Sequence, residues 1–147
     1  MLVEFQQALV DLTSSPELVN EVRADPSLLA ARYQLTDREA ARLRAIAGHR
    51  GMAAACTLYR MNRVAPLAMN LRDTLRALGP ALRDLVGAYW RDHPRGHAHF
   101  FIESARFAGW LRARIDAGGA PSSALPSLER EAAAIEASLA DSRADGY

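Results

Sequence analysis

Three closely spaced histidines are the most conspicuous candidate metal ligands in the sequence. His93, His97 and His99 lie within residues 92–99, and neutral imidazole is the commonest nitrogen ligand for transition metals in proteins. The segment lacks the His-Glu-x-x-His spacing that places two ligands on one helical face, and no further ligand follows nearby. We therefore interpret it as a solvated loop between helices, with a partner-contacting loop or a metal site as the alternatives, and we expect no metal on this chain.

The remaining reactive side chains do not form a catalytic pattern. Cys56 is the single cysteine and lies among alanines, which is typical of a small buried apolar residue rather than a nucleophile. The chain has no Gly-x-Ser-x-Gly motif, no phosphate-binding glycine loop and no carboxylates with a spacing that would bring them together. We interpret the glutamates of the later helices as solvated; they are Glu103, Glu129, Glu131 and Glu136. We expect no catalytic residue in this chain.

The sharpest polar cluster is Tyr59-Arg60-Met61-Asn62-Arg63. On a helix, residues four apart share a face, so Tyr59 and Arg63 would lie together. The cluster has a structural interpretation, in which Arg60 pairs with a nearby acid or caps the preceding loops and Asn62 bonds the backbone of another helix. Alternatively, it grips a bound peptide or subunit, with arginines contacting acidic positions of that partner. The candidate binding residues are Tyr59, Arg60, Asn62, Arg63, Arg106 and Arg112.

Apolar residues recur at helical spacing along the whole chain, and nowhere do they alternate with period two. The pattern predicts an all-α fold, a compact multi-helix bundle without a sheet. Helix starts are marked by Ser15-Pro16, a cap followed by proline at the first helical position, and by the capping box Thr36 to Glu39. The longest helical stretch runs over residues 52–78, with a kink or break expected at Pro66. Leu67, Leu71, Leu75 and Leu78 line one face of it, and Arg63 can face solvent.

Length and composition predict one globular domain, residues 1–147, with helical subdomains at 1–51 and 52–147 that share the long central helix. Half of the residues are apolar and 24% are charged, which is ordinary for a folded protein. All 18 basic residues are arginine and 17 acids balance them. Since the arginines form no basic run, we expect no nucleic-acid partner.

The chain shows no signal for export or membrane insertion. Its first residues lack the basic region and long apolar core of a signal peptide, and no uncharged apolar stretch approaches the ~20 residues that a membrane helix needs. A single cysteine suits a reducing compartment. We therefore expect a cytoplasmic protein without a membrane partner.

Residues 59–140 contain a series of short motifs in a fixed order. These are Tyr59-Arg60-Met61-Asn62, the leucine-rich helix from Leu67 to Leu75, Pro80 to Gly87 with Leu85-Val86-Gly87, Tyr89-Trp90, His93-Pro94 and Leu125-Pro126-Ser127-Leu128-Glu129. Together they resemble a bacterial family described as a DNA-binding-domain family, whose members accompany multinuclear non-haem iron oxidases that modify ribosomal peptides. The resemblance is to the TglI-like partner proteins of 3-thiaglutamate biosynthesis.

The first half of the chain contains a second set of motifs, Asp25-Pro26-Ser27, Tyr33 to Glu39 and Ile46-Ala47-Gly48. With these residues it separately resembles the small helical LigA-type subunit of extradiol ring-cleavage dioxygenases. This helical pattern also recurs in accessory proteins, so it does not by itself imply ring cleavage.

Together, the two resemblances imply a non-catalytic accessory subunit in a heterodimer with a TIM-barrel iron oxidase. Iron and redox chemistry would lie on that partner, with no cofactor on this chain. The implied reaction is the oxidation of a cysteine in a ribosomal precursor peptide that this chain helps to dock. The alternatives are a LigA-like small subunit of an extradiol dioxygenase and a DNA-binding regulator.

Overall fold

The computed structural model describes residues 2–144, which form helices joined by short turns and contain no strand. The predicted all-α class is confirmed. Short 3-10 turns occur at Gly79–Ala81 and Ser122–Ala124. The helices are α1 (Leu2–Ser14), α2 (Pro16–Ala24), α3 (Leu28–Arg32), α4 (Asp37–Gly48), α5 (Met52–Asn70), α6 (Arg72–Leu78), α7 (Leu82–Asp92), α8 (Phe100–Asp116) and α9 (Leu125–Ala144).

The chain divides into two compact units, unit 1 (Met1–Met61) and unit 2 (Asn62–Tyr147). The division falls inside α5, whereas the sequence pattern placed a subdomain boundary between residues 51 and 52. Each unit has its own cluster of buried apolar side chains. Folding of residues 1–147 as a single domain stays a prediction.

Unit 1 begins its helices as the sequence predicts. The Ser15 side chain accepts a hydrogen bond from the Leu18 amide, and Pro16 occupies the first turn of α2. At the start of α4, Thr36 accepts from the Glu39 amide while the Glu39 carboxylate accepts from the Thr36 amide. Each cap satisfies amides that the first helical turn leaves without partners.

The core of unit 1 includes the single cysteine. The Cys56 side chain is buried, and its Sγ lies 3.4 Å from the Leu12 carbonyl oxygen, to which it can donate. Desolvation raises the pKa of this thiol, which keeps it protonated and unreactive at neutral pH. The predicted burial of Cys56 is confirmed.

The helical stretch of residues 52–78 is interrupted, although not at the predicted position. Helix α5 continues through Pro66 to Asn70, and the interruption comes at Leu71, whose φ and ψ are −126° and 34°. Leu71 is fully buried. The Pro66 carbonyl receives a hydrogen bond from the Ser104 hydroxyl at 3.0 Å, so tertiary contacts support the chain around the proline. Of the kink or break predicted at Pro66, the break is wrong, because α5 continues through the proline.

A side chain from α9 caps the helix that begins after this interruption. The Glu131 carboxylate accepts hydrogen bonds from the amides of Asp73 and Thr74, at 2.9 and 3.0 Å, and from the Thr74 hydroxyl at 2.6 Å. These two amides lie in the first turn of α6, where a negative charge also meets the positive end of the helix dipole. Glu131 is therefore a structural cap rather than the solvated side chain that the sequence suggested.

Unit 2 is built around α8, which packs against α9, with α6 and α7 contributing further apolar side chains. Tyr89 and Phe107 are fully buried and meet edge to face, with ring centroids 5.1 Å apart. Such aromatic pairs add favourable quadrupole contact to the burial of two large side chains. The packing of this core fixes the helices of unit 2 whose polar network and surface groove are described below.

Candidate functional site

Arg63 is held inside unit 2 instead of facing solvent. Its side chain is 5% exposed, and the Glu103 side chain with which it pairs is 0% exposed. Arg63 Nε donates to Glu103 Oε1 at 3.0 Å. Nη2 lies 2.9 Å from the same oxygen, which is an ion-pair distance, without hydrogen-bond geometry. The expectations that Arg63 faces solvent and that Glu103 lies on a solvated face are both wrong.

The same ion pair holds the chain that connects α7 to α8. Arg63 Nη1 donates to the carbonyls of His93 and Pro94 at 2.7 and 3.3 Å. Glu103 Oε2 accepts from the His97 amide at 2.8 Å. Because a buried charge is costly unless it is paired and hydrogen-bonded, Arg63 and Glu103 depend on the backbone of this loop as much as the loop depends on them.

Two neighbours complete this network. The Tyr89 hydroxyl donates to Glu103 Oε1 at 3.3 Å, and burial together with the Glu103 charge raises the pKa of Tyr89 to about 12. Gly96 passes so close to Arg63 that an added Cβ would lie 2.9 Å from three of its side-chain atoms. A partner could reach the Arg63 guanidinium only by opening this packed network.

Arg106 and Arg112, the other arginine candidates in unit 2, also make internal contacts. Arg106 Nη1 donates to the Arg95 carbonyl at 3.1 Å, on the loop that Arg63 holds. Arg112 is 47% exposed and pairs with Asp116 and Glu129, at 3.2 and 3.0 Å. Exposed pairs of this kind are worth only ~0–1 kcal/mol, so Arg112 could exchange its partners for those of another protein at little cost.

The other candidate residues lie on α5. Arg60 Nη2 lies 2.9 Å from Glu17 Oε2, and its side chain is 25% exposed. Partial burial raises the pKa of Glu17, but hydrogen bonds from its own backbone and from Arg60 lower it overall. Tyr59 is partly exposed, and Asn62 is exposed. The interpretation that Arg60 pairs with an acid is therefore correct. The expectation that Asn62 bonds the backbone of another helix is wrong, because its exposed side chain makes no hydrogen bond within residues 2–144.

The histidine segment is an irregular connection between α7 and α8, as predicted. His93 caps the end of α7, and its ring lies 5.0 Å from that of Tyr89. His97 Nδ1 accepts from the His99 amide at 3.0 Å. Within the part of the chain that the structure describes, no three histidine, cysteine, aspartate or glutamate side chains converge as metal ligands would.

An apolar groove opens on the surface of unit 2, and its lining includes none of the candidate binding residues predicted from the sequence. Leu82, Val86 and Trp90 form one wall along α7, and Val64 and Leu75 contribute from α5 and α6. The turn at Gly79-Pro80 closes one end, and Gly79 adopts the positive φ of 52° that favours glycine. The spacing of apolar residues along α7 predicts an apolar face, but it is the same whether that face is covered by the core or left open. Tertiary packing alone decides that a groove forms here.

Arg83 is the single charged residue among those that line the groove. Its side chain is exposed and makes no hydrogen bond or ion pair with any other residue of the described range 2–144. The candidate site is therefore an apolar groove with one available cation at its edge.

No family model, curated protein or solved structure matches this chain. None of the helices within residues 2–144 is long and apolar enough to cross a bilayer.

Proposed function

We propose that this chain is a non-catalytic accessory subunit that binds a TIM-barrel multinuclear iron oxidase and that oxidase's ribosomally made precursor peptide. In this proposal the oxidase carries the iron and oxidises a cysteine of the peptide. The present chain docks the peptide and completes the complex, and it brings no cofactor of its own.

One observation carries the proposal: the motifs on which the family resemblance rests supply much of the groove on unit 2. Because these motifs supply most of the residues that line the groove, we assign the function shared with the accessory proteins to this surface. The groove residues that lie within the motifs are Leu67, Leu75, Pro80, Leu82, Arg83, Val86 and Trp90.

The chemistry of the groove also supports binding over catalysis. Its lining is almost wholly apolar, and its single charged member is Arg83, whose guanidinium offers hydrogen-bond donors but no acceptor that could take up a proton. Apolar grooves between helices bind the hydrophobic side chains of peptides or partner helices.

Co-expression tests the proposal directly. The tagged chain is produced together with a candidate TIM-barrel iron oxidase from the same genome, and alone as the control. Size-exclusion chromatography with light scattering gives the mass of the complex, and elemental analysis locates the iron. We expect a heterodimer whose iron stays with the oxidase when the two are separated. Elution of the two proteins as independent species would refute the proposal, and selective association with an extradiol catalytic subunit would replace it.

A further inference from the structure

We infer that the groove on unit 2 binds an amphipathic helical segment whose apolar face fills the groove and whose carboxylate pairs with Arg83. This inference rests on the proposed function for the identity of the occupant, which is the precursor peptide rather than the oxidase. It adds the binding site, the conformation of the peptide and its required charge.

The shape of the site favours a helix. Within residues 2–144 there is no strand whose edge could pair with an extended peptide. A helix satisfies its own backbone hydrogen bonds and can therefore bury an apolar face in a groove lined by side chains. Leu82, Val86 and Trp90 lie four residues apart along α7, so they span roughly 12 Å at 1.5 Å per residue. That length matches about two turns of a bound helix with anchors at positions i, i+4 and i+7.

The positive charge of Arg83 favours a ligand that carries a negative charge. Arg83 is exposed, and no acid of the described chain neutralises it. It follows Leu82 at the first turn of α7, so it marks the Leu82 end of the wall and not the Trp90 end. A bound segment would therefore place aspartate or glutamate at one end of its apolar face and apolar anchors towards Trp90.

Designed peptides provide the probe. The first is a fluorescein-labelled helical peptide of about 14 residues, or roughly four turns, with three leucine anchors at helical spacing and a glutamate at one end. Its matched versions carry glutamine or lysine in place of that glutamate, and a further control replaces the leucines with serine. Fluorescence anisotropy measures each affinity for the full chain.

We expect the glutamate peptide to bind most tightly, the glutamine peptide less tightly and the lysine peptide least tightly. The dissociation constants should span about a fivefold range, because an exposed ion pair contributes up to ~1 kcal/mol. Arg83→Glu should reverse the order and restore binding of the lysine peptide. Arg91→Glu, which changes an exposed arginine of α7 outside the groove lining, should leave the order unchanged. Trp90→Ala should weaken all three peptides alike, with circular dichroism confirming that the variant is folded.

Three results would overturn the inference: no binding of any leucine peptide, equal binding of the serine control, or an order of affinity that Arg83→Glu leaves unchanged. Concentration-dependent dimerisation that blocks the peptides would assign the groove to a second copy of the chain instead. The oxidase complex is a separate readout. If the parent chain co-elutes with the oxidase while none of the leucine peptides binds it, only this inference fails. If the peptides bind and no oxidase associates, the proposed function fails.

Discussion

Arg63 and Glu103, 40 residues apart in the sequence, form an ion pair almost completely removed from water. Desolvating two charges is costly, and their attraction repays the cost only when further hydrogen bonds satisfy both groups. The backbone of residues 93–97 supplies those bonds. The pair therefore fixes the conformation of the loop between α7 and α8.

Removing the charge of Glu103 should strongly destabilise unit 2. Glu103→Gln leaves the Arg63 charge buried without compensation, and one amide nitrogen replaces an oxygen that accepts hydrogen bonds. We expect a loss of about 3 kcal/mol in the free energy of unfolding, measured by urea denaturation. Glu17→Gln is the matched control because it breaks the exposed pair with Arg60, and it should cost no more than about 1 kcal/mol.

A double-mutant cycle distinguishes loss of the pair from general disruption. Arg63→Met combined with Glu103→Gln removes both charges, so the double variant should be markedly more stable than the sum of the single losses implies. A coupling free energy of about 1 kcal/mol or more would reflect the direct interaction. Strict additivity would contradict the assignment of these residues as an energetic pair.

The closeness of Gly96 to Arg63 gives a prediction about packing. Gly96→Ala would place a methyl group 2.9 Å from Arg63 Cγ, Cδ and Nε, and the buried ion pair leaves that side chain little freedom to move. We expect a destabilisation of about 1–3 kcal/mol, seen as a lower urea midpoint.

The control is Gly109→Ala on α8, where an added Cβ meets nothing within 4 Å. Alanine favours a helix over glycine by up to ~1 kcal/mol, so this variant should be equal to or more stable than the parent chain. If Gly96→Ala is also as stable as the parent chain or more stable, the loop does not pack closely on Arg63.

Sequence patterns predicted the local structure far better than the site. Helix class and the caps at Ser15 and Thr36 follow from hydrogen bonds within a few residues, which the sequence displays directly. The burial of Glu103 depends on Arg63, 40 residues away, and no periodicity reveals that partner. The same reason explains the misplaced helix break at Leu71, whose following amides are capped by Glu131, 57 or more residues further along the chain.

Alkaline stability should depend on Tyr89. Its pKa is raised from 10.0 to about 12, first by burial and then by the Glu103 charge, so the folded state favours the neutral phenol. A group with a raised folded-state pKa contributes stability that is complete below its unfolded pKa and is lost as the pH rises towards the folded value. Unfolding free energy should therefore fall between pH 10.0 and about 12.

Tyr89→Phe isolates this contribution. The variant loses a hydrogen bond to Glu103, so it should be less stable at neutral pH, but its stability should decline less steeply over the same alkaline interval. Urea midpoints at several pH values provide the measurement. Equal alkaline slopes for parent and variant would mean that Tyr89 does not titrate as its surroundings require.

The cap that α9 provides for α6 should be energetically significant. Glu131→Ala leaves the amides of Asp73 and Thr74 and the buried Thr74 hydroxyl without their carboxylate acceptor. By analogy with the loss of a helix N-cap, we expect a decrease of about 1–2 kcal/mol in the free energy of unfolding. Glu136→Ala on the exposed face of the same helix is the control, and it should change stability by less than about 0.5 kcal/mol. Amide hydrogen exchange then locates the effect, because Glu131→Ala should accelerate exchange in the first turns of α6 more than in α8. Equal effects of the two substitutions would show that α6 does not depend on this carboxylate.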